Sequence, residues 1–320
     1  MFGRIVGTGS YAPSQVWDNN DIAKFVDTND EWIQDRTGIA RRHVATDDST
    51  VSMAVKSAKA AIENAKIEPE SIDVVLVSTC SPNTLCPTVA CQVQAEVGAK
   101  NAFAMDINAA CTGFLFAMHM VQNMIMTGSI KTALIIGSEC LSNLVDWEDR
   151  GTCILFGDGA GACIVQAQEE GAYAACLGSD GNKGDALTCE SRHQKDYEEA
   201  IKEGRTYIGM DGKQIFSFAV RQVPACIKEL LTQIDKDANE VDMYLLHQAN
   251  QRILEGISKR LKVPMDKIAS NIAEYGNTSS ATIPILLDEL WRAGEIQSGQ
   301  HVILAGFGAG LSWGAAYMQL

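Results

Sequence analysis

The chain has 320 residues, 46% of them hydrophobic and 21% charged, proportions that exclude a disordered, collagen-like or coiled-coil protein. Forty acidic residues against 26 basic ones leave a formal net charge of −14, which argues against a general nucleic-acid binder because phosphate repels such a surface. No run of 18 apolar residues and no leader-like N-terminal segment is present, so neither a membrane span nor a secretory signal is expected. From the N-terminus onward, strand-length apolar runs alternate with helical patterns. Ile72–Thr79 (IDVVLVST), Phe103–Ile107 and Thr132–Gly137 (TALIIG) read as strands buried on both faces. Helices are predicted between them, at Thr88–Val97 and Cys111–Thr127. This alternation predicts an α/β fold.

The second half replays the order. Val241–Leu246 (VDMYLL) resembles the start of the Ile72 run, and His301–Gly306 (HVILAG) resembles Thr132–Gly137. Asp73 and Asp242 are 169 positions apart, as are Ala133 and Val302. Two matches at one offset predict a duplicated architecture, with an N-terminal half over 1–170 and a C-terminal half over 171–320. The seam falls near Ala167–Ala172, where charge interrupts the apolar pattern without a Pro/Ser-rich linker, so the halves are expected to pack against each other. The most polar segment, Ser179–Gly209, reads as an excursion containing a short helix and His193.

Ten cysteines are present, none paired as C-x-x-C, and most sit in apolar runs. They read as reduced thiols of a cytoplasmic protein. Cys111 differs from the others. It follows a strand and a run of small residues, Asn-Ala-Ala-Cys-Thr-Gly, at the opening of a helix. Such a bend can expose a nucleophile. A helix N-terminus is expected to lower the thiol pKa and to offer N–H groups to an oxyanion. A small buried hydrophobe is the other reading open to this residue. A nucleophilic thiol needs a proton acceptor, and His247 sits directly after the repeated strand, where α/β folds gather their sites. Asn277, in Gly-Asn-Thr-Ser before a helix, falls in the repeat at the turn equivalent to that of Cys111. Its amide could stabilise an enolate, or it could simply cap the helix. The five histidines show no H-x-x-H spacing, and no metal site is expected.

Together the strings TNDEWIQDRTGI, DINAACTGF, DRGTCILFGDGAGA, HQAN, GNTSSA and GFGAGLSWG resemble the thiolase superfamily, and within it the beta-ketoacyl-acyl-carrier-protein synthase III family. They run from Thr28 to Gly314 in the family's order. The resemblance implies a five-layer αβαβα fold made of two similar halves and assembled as a homodimer. It also implies a decarboxylative condensation of an acyl-CoA primer with malonyl-acyl-carrier protein, through an acyl-Cys111 thioester, at the start of fatty acid synthesis. In it Cys111, His247 and Asn277 form the catalytic set, Cys111 and Ala309 supply the oxyanion N–H groups, and Phe307 shields the nucleophile.

The same resemblance places CoA, a substrate rather than a resident cofactor, between Trp32 and Arg150. Arg36 and Thr28 would meet the nucleotide, and Gly212, Phe216, Ala249 and Asn250 would line the pantetheine tunnel. Lys213 and Ser217 depart from the family's pattern there. Arg252, Lys259 and Arg260, on one face of the helix after HQAN, are expected to orient the acidic carrier protein; a solvated helix face is the bland alternative. Cys86 corresponds to a loop that reaches the partner's acyl pocket. Two other functions fit the sequence: a specialised condensing enzyme or acyltransferase using another CoA thioester, and a catalytically silent scaffold subunit.

Overall fold

The computed structural model describes residues 1–191 and 195–320; His193, placed by the sequence in the polar excursion, lies outside them. The first half runs β1 (Phe2–Tyr11), β2 (Val16–Asp18), α1 (Asn19–Ile22), α2 (Asp30–Thr37), β3 (Arg41–His43), α3 (Thr50–Ala65), β4 (Val74–Ser78), α4 (Val89–Val97), β5 (Phe103–Ile107), α5 (Gly113–Met126), β6 (Thr132–Glu139) and β7 (Gly159–Gln168). The second runs β8 (Tyr173–Ser179), β9 (Leu187–Thr188), α6 (Tyr197–Lys202), β10 (Gly209–Met210), α7 (Gly212–Gln233), β11 (Met243–Leu246), α8 (Gln251–Leu261), α9 (Ile272–Tyr275), α10 (Thr282–Ala293), β12 (His301–Gly308) and β13 (Ser312–Gln319).

Two main sheets form, in the orders β1-β7-β6-β4-β5 and β8-β13-β12-β11. In the first, β4 pairs in parallel with both β5 and β6. In the second, β11 pairs in parallel with β12. Their side chains explain why these runs are almost wholly apolar. Val75 and Val77 pack outward on α3 and α4, where Ala54, Ala58, Val89 and Val93 meet them. Val74 and Leu76 point the other way, onto Phe114, Leu115 and Met118 of α5. The same inner layer receives Leu245, Val302 and Leu304 of the second sheet together with Leu286 and Leu287 of α10. Tyr244, Leu246 and Ile303 face outward to α7 and α8, through residues such as Phe218, Ile227, Leu254 and Ile257. Both sheets are thus covered on both faces, with α5 and α10 shared between them, which is the five-layer αβαβα arrangement.

The offset of 169 holds at the level of single atoms. Asp73 Oδ2 accepts from Thr132 N–H at 2.9 Å, and Asp242 Oδ2 accepts from His301 N–H at 2.7 Å. The main-chain N–H groups of those aspartates donate back to the Thr132 and His301 carbonyls, both at 2.9 Å. Val74 faces Ala133 across the first sheet as Met243 faces Val302 across the second. Where β5 pairs with β4 in the first half, the second keeps one parallel bridge, Tyr244 to Ile268.

The predicted elements land closely. Thr88 caps α4 through the Cys91 N–H, and Gly98, at φ 79°, ends it. The helix expected from Cys111 starts as a 3₁₀ turn, Ala110–Thr112, before α5 proper. The excursion contains its short helix, α6.

Candidate active site

The Cys111 turn and its repeat are built alike. Ala110 and Ser279, 169 positions apart, both take a positive φ, 47° and 51°. Asn108 Oδ1 accepts from the Ala110 N–H at 3.3 Å, and Asn277 Oδ1 accepts from the Ser279 N–H at 2.9 Å. This is an Asx turn in each half. It puts Asn277 at the turn equivalent to that of Cys111, as the sequence indicates, although residue for residue its counterpart is Asn108 and that of Cys111 is Ser280. With its oxygen engaged, the Asn277 amide presents its NH2 as the remaining donor.

Ser279 is where the three groups meet. It lines the same cavity as Cys111, and its N–H donates to Asn277 Oδ1. Its hydroxyl, without a hydrogen-bond partner among the described residues, works to lower the Cys111 thiol pKa, and its backbone works to raise that of the His247 imidazole. From the other side β12 closes on the pair. A Cβ placed on Gly308 would stand 2.9 Å from the Cys111 nitrogen and 3.1 Å from its Cβ; one on Gly306 would stand 3.2 Å from the His247 Cβ. Only glycine permits that approach. Phe307 sets its ring edge-on to His247, with centroids 5.2 Å apart.

Cys111, His247 and Asn277 are all buried. Burial pushes the His247 imidazole down to about 4, with the Ser279 backbone contact working in the opposite direction, so the ring is neutral at physiological pH. The expectation of a lowered thiol pKa at Cys111 is overturned. Burial, with the charge of Glu139 adding to it, pushes the thiol up to about 12, because desolvation of a thiolate outweighs what one short turn of backbone dipoles supplies. The resting pair is thiol and neutral imidazole. Among the described residues His247 Nδ1 has no hydrogen-bond partner.

A cavity of about 1050 Å³ opens from Cys111. Ala110, Ser279, Ala309 and Gly310 surround its inner end, with Leu85, Leu141, Leu144, Phe156, Leu187 and Ile208 along its walls. Ala309 is tied to the nucleophile turn: its carbonyl accepts from Ser312 Oγ at 3.0 Å, and that hydroxyl lies 2.8 Å from Thr112 Oγ1. Cys86 is exposed and lies outside the wall of this chain's own cavity, whereas its neighbours Thr84 and Leu85 belong to it.

The residues expected around CoA sit on neighbouring elements. The Arg150 guanidinium lies over the Trp32 ring at 5.1 Å and that of Arg36 at 5.5 Å, so the arginines occupy the cation–π positions on the ring and Arg150 must move out for a purine to stack between it and Trp32. Thr28 Oγ1 is buried without a hydrogen-bond partner among the described residues. Gly212 opens α7, one turn before the exposed Phe216. Asn250 caps α8 and donates to the Arg36 carbonyl at 2.9 Å, with Ala249 beside it against the α7–α8 core. Arg252 is not a free docking charge: it pairs with Asp35 at 2.9 Å. Lys259 and Arg260 are exposed in the last turn of α8. Ile253, Leu254, Ile257 and Leu261 pack inward as expected.

Sequence reasoning quoted the strings that hold Ser279, Gly306 and Gly308 without giving these residues individual roles, and it missed Glu139. The offset of 169 could have found Ser279, since it maps Ala110 onto that residue. Glu139 ends an otherwise uncharged strand, which is itself a signal of a buried polar role. Among the described residues, no group of three or more His, Cys, Asp or Glu side chains is placed to hold a metal, and no helix is long and apolar enough to cross a membrane.

Two sheets sandwiching a shared helix layer, with a buried cysteine at a strand–turn–helix bend and a buried histidine and asparagine around the Ser279 turn, are the fold and candidate site of a thiolase-fold condensing enzyme. Residues 105–181 match the family model of 3-oxoacyl-[acyl-carrier-protein (ACP)] synthase III, and residues 231–320 match its C-terminal model. The chain belongs to that family of acyltransferases. Beta-ketoacyl-[acyl-carrier-protein] synthase III of Clostridium acetobutylicum is 44% identical to it, over 98% of each chain. The crystal structure of 3-oxoacyl-[acyl-carrier-protein] synthase III from Aquifex aeolicus matches with a TM-score of 0.94 at 38% identity, covering 99% of this chain and 100% of that one. The priming beta-ketosynthase of the R1128 polyketide biosynthetic pathway matches with a TM-score of 0.95 at 34% identity, over 100% and 96%.

Proposed function

We propose that this chain condenses an acyl-CoA primer with malonyl-acyl-carrier protein, giving 3-ketoacyl-acyl-carrier protein, CoA and CO2, and so initiates fatty acid synthesis. The observation that carries the reading is that Cys111 and Ser279 line one cavity, while the Ser279 turn, just behind that wall, holds Asn277 through its N–H and bears on the buried His247.

In the first stage the Cys111 sulfur attacks the primer thioester. Because the resting thiol is held up to about 12, its proton leaves with the attack, and neutral His247 takes it. The tetrahedral oxyanion is held by the backbone N–H groups of Cys111 and Ala309. Collapse expels CoA, which takes up the proton. In the second stage the malonyl carboxylate departs as CO2. The electron pair left behind spreads onto the thioester oxygen, where the N–H of His247 and the NH2 of Asn277 stabilise it. A neutral imidazole can fill both parts because it carries one nitrogen that accepts a proton and one N–H that donates. The carbanion attacks the acyl-Cys111 carbonyl, and the thiolate leaves and takes one proton from solvent, the proton that the overall reaction consumes.

Trp32, Arg150, Arg36 and Thr28 take the nucleotide of CoA in this reading, and Gly212, Phe216, Ala249 and Asn250 border the pantetheine. Lys259 and Arg260 orient the carrier protein, with Arg252 acting through its pair with Asp35. The working unit is a cytoplasmic homodimer of chains that each divide into halves 1–170 and 171–320. Support for the dimer comes from β5, an edge strand with Phe103 exposed. The start of α4, after the Cys86 loop, is anchored to that edge through Asp106, which accepts from the Val89 and Ala90 N–H groups. The loop then reaches the partner's cavity, where a small Cys86 leaves room for primers longer or more branched than acetyl.

The test is loading of Cys111 from radiolabelled acyl-CoA, then release of label on adding malonyl-acyl-carrier protein, run with acetyl-, isobutyryl- and hexanoyl-CoA. Loading without release favours the second reading, a specialised condensing enzyme, which the likeness to the R1128 priming ketosynthase supports. No loading returns the chain to a scaffold.

A further inference from the structure

A second polar cluster lies behind the nucleophile turn, and no step above uses it. Glu139 ends β6 and is fully buried. Its carboxylate accepts from Thr79 Oγ1 at 3.1 Å, the Cys80 N–H at 3.1 Å, Ser81 Oγ at 2.6 Å and Ser280 Oγ at 2.9 Å. The Cys80 sulfur is 3.5 Å from both its oxygens. No ion pair engages it among the described residues. Three of the four donors come from the segment after β4, in the first half. The fourth comes from the second half and follows Ser279, on which Cys111, His247 and Asn277 converge.

We propose that Glu139 is a positioning residue of this site: it clamps Thr79, Cys80 and Ser81 to Ser280, and so fixes the Ser279 turn against Cys111. The proposal rests on the reading of Cys111 as the nucleophile. Two features of the geometry favour a functional clamp over a general tie between halves. Cys80, Ser81, Cys111 and Ser279 all line the cavity, so the clamp shapes the surface the substrate meets. The Ser280 hydroxyl also has the Ser78 carbonyl as an acceptor at 2.9 Å. One hydroxyl proton therefore faces two acceptors, and the Ser280–Glu139 contact is stronger when the carboxyl is protonated and can itself donate. The ionisable groups acting on or through this carboxyl are Cys80, Cys111 and Cys140, with Asp158 facing Cys140 and Cys189 facing Cys80. All are acids, so no cation offsets the charge. When ionised, this carboxyl opposes a thiolate at Cys111 and so adds to the burial that holds the unloaded enzyme in the thiol form.

On the full chain, Glu139→Gln keeps the shape and removes the charge. The pH profile of iodoacetamide capture of Cys111, followed by mass spectrometry of the peptide that carries it, is expected to move to lower pH, with more Cys111 alkylated at a fixed pH than in wild type. Glu139→Asp keeps the charge but shortens the reach, and is expected to lower kcat while leaving that profile in place. Glu139→Ala is expected to lose about tenfold or more in kcat, with KM for acyl-CoA within about threefold. An unmoved profile in the Gln variant, or wild-type kcat in a folded Ala variant, overturns the proposal. If even the wild-type chain condenses nothing, the functional reading fails instead, and the alkylation profiles still judge the clamp.

Discussion

A tight steric constraint on the nucleophile comes from two glycines of the GFGAGLSWG string, Gly306 and Gly308. Gly308→Ala adds one methyl whose carbon would start 2.9 Å from the Cys111 nitrogen and 3.1 Å from its Cβ. Carbon contacts settle at about 3.5–4.0 Å, so the nucleophile turn or β12 must yield by about half an ångström. The opposing atoms are main chain and Cβ, which cannot rotate away. Overpacking of this kind costs about 1–3 kcal/mol of stability. A displacement approaching 1 Å costs about a hundredfold in a reaction that depends on alignment. Loading of Cys111 in Gly308→Ala should therefore fall about tenfold to a hundredfold. Gly306→Ala meets the His247 Cβ at a milder 3.2 Å, and should slow malonyl decarboxylation more than loading, by a smaller factor. Gly181→Ala, whose Cβ meets nothing within 4 Å, is the control. Single-turnover loading and CO2 release, measured beside thermal melts, separate the two effects. Wild-type loading in a folded Gly308→Ala chain would refute the claim that this contact sets the position of the sulfur.

Cys111→Ala should abolish acyl transfer yet leave malonyl decarboxylation, while His247→Ala and Asn277→Ala should impair CO2 release more than loading; condensation at wild-type rate in both of the latter would remove their assigned roles. Charge reversal at Lys259 or Arg260 should raise KM for malonyl-acyl-carrier protein and spare acyl-CoA loading. Arg252→Glu should affect both half-reactions, because it also breaks the pair with Asp35 that ties α8 to α2 beside Arg36; equal effects at all three positions would argue against a docking face. His247 is held down to about 4 by burial, against about 6.5 in an unfolded chain. Between those values the unfolded state binds the extra proton, so the His247 contribution to stability rises with pH, by about 3 kcal/mol across the window. Urea titrations of wild type and His247→Gln at pH 4.5 and 7 should differ in that sense, and parallel pH dependences would contradict it.

The parts legible in the sequence are those where local pattern and tertiary role coincide. Strands β4, β6, β11 and β12 are covered on both faces, so their apolar runs are unbroken and their common offset shows. Cys111 and His247 stand at strand ends, where the pattern itself changes. The thiol's ionisation was not legible, because the helix start that favours a thiolate is visible in the chain while the desolvation that defeats it comes from residues far away. The Arg252–Asp35 pair spans 217 positions, and no property of α8 alone distinguishes a paired arginine from a solvated one. The polar excursion gave no hint that Leu187–Ser191 forms part of the cavity wall, since a wall facing a mixed polar and apolar substrate has no periodicity of its own.

The repeat explains why one molecule built from two similar halves has a single reactive bend. At the offset of 169, Cys111 falls on Ser280, His247 on Ser78, Asn277 on Asn108 and Gly308 on Glu139. Both turns keep the Asx geometry and the positive φ, so the backbone for a second site survives. Its chemistry does not. Ser280 spends its hydroxyl on the Ser78 carbonyl and on Glu139, and the place that glycine leaves open beside Cys111 is filled there by a carboxylate. Gly137, the counterpart of Gly306, brings its strand against Ser280, where an added Cβ would stand 2.2 Å from the Ser280 oxygen. A turn packed that tightly and hydrogen-bonded that fully cannot admit a thioester, but it can brace the turn that does. The asymmetry between the halves is thus a division between one bend open to substrate and one converted into its support.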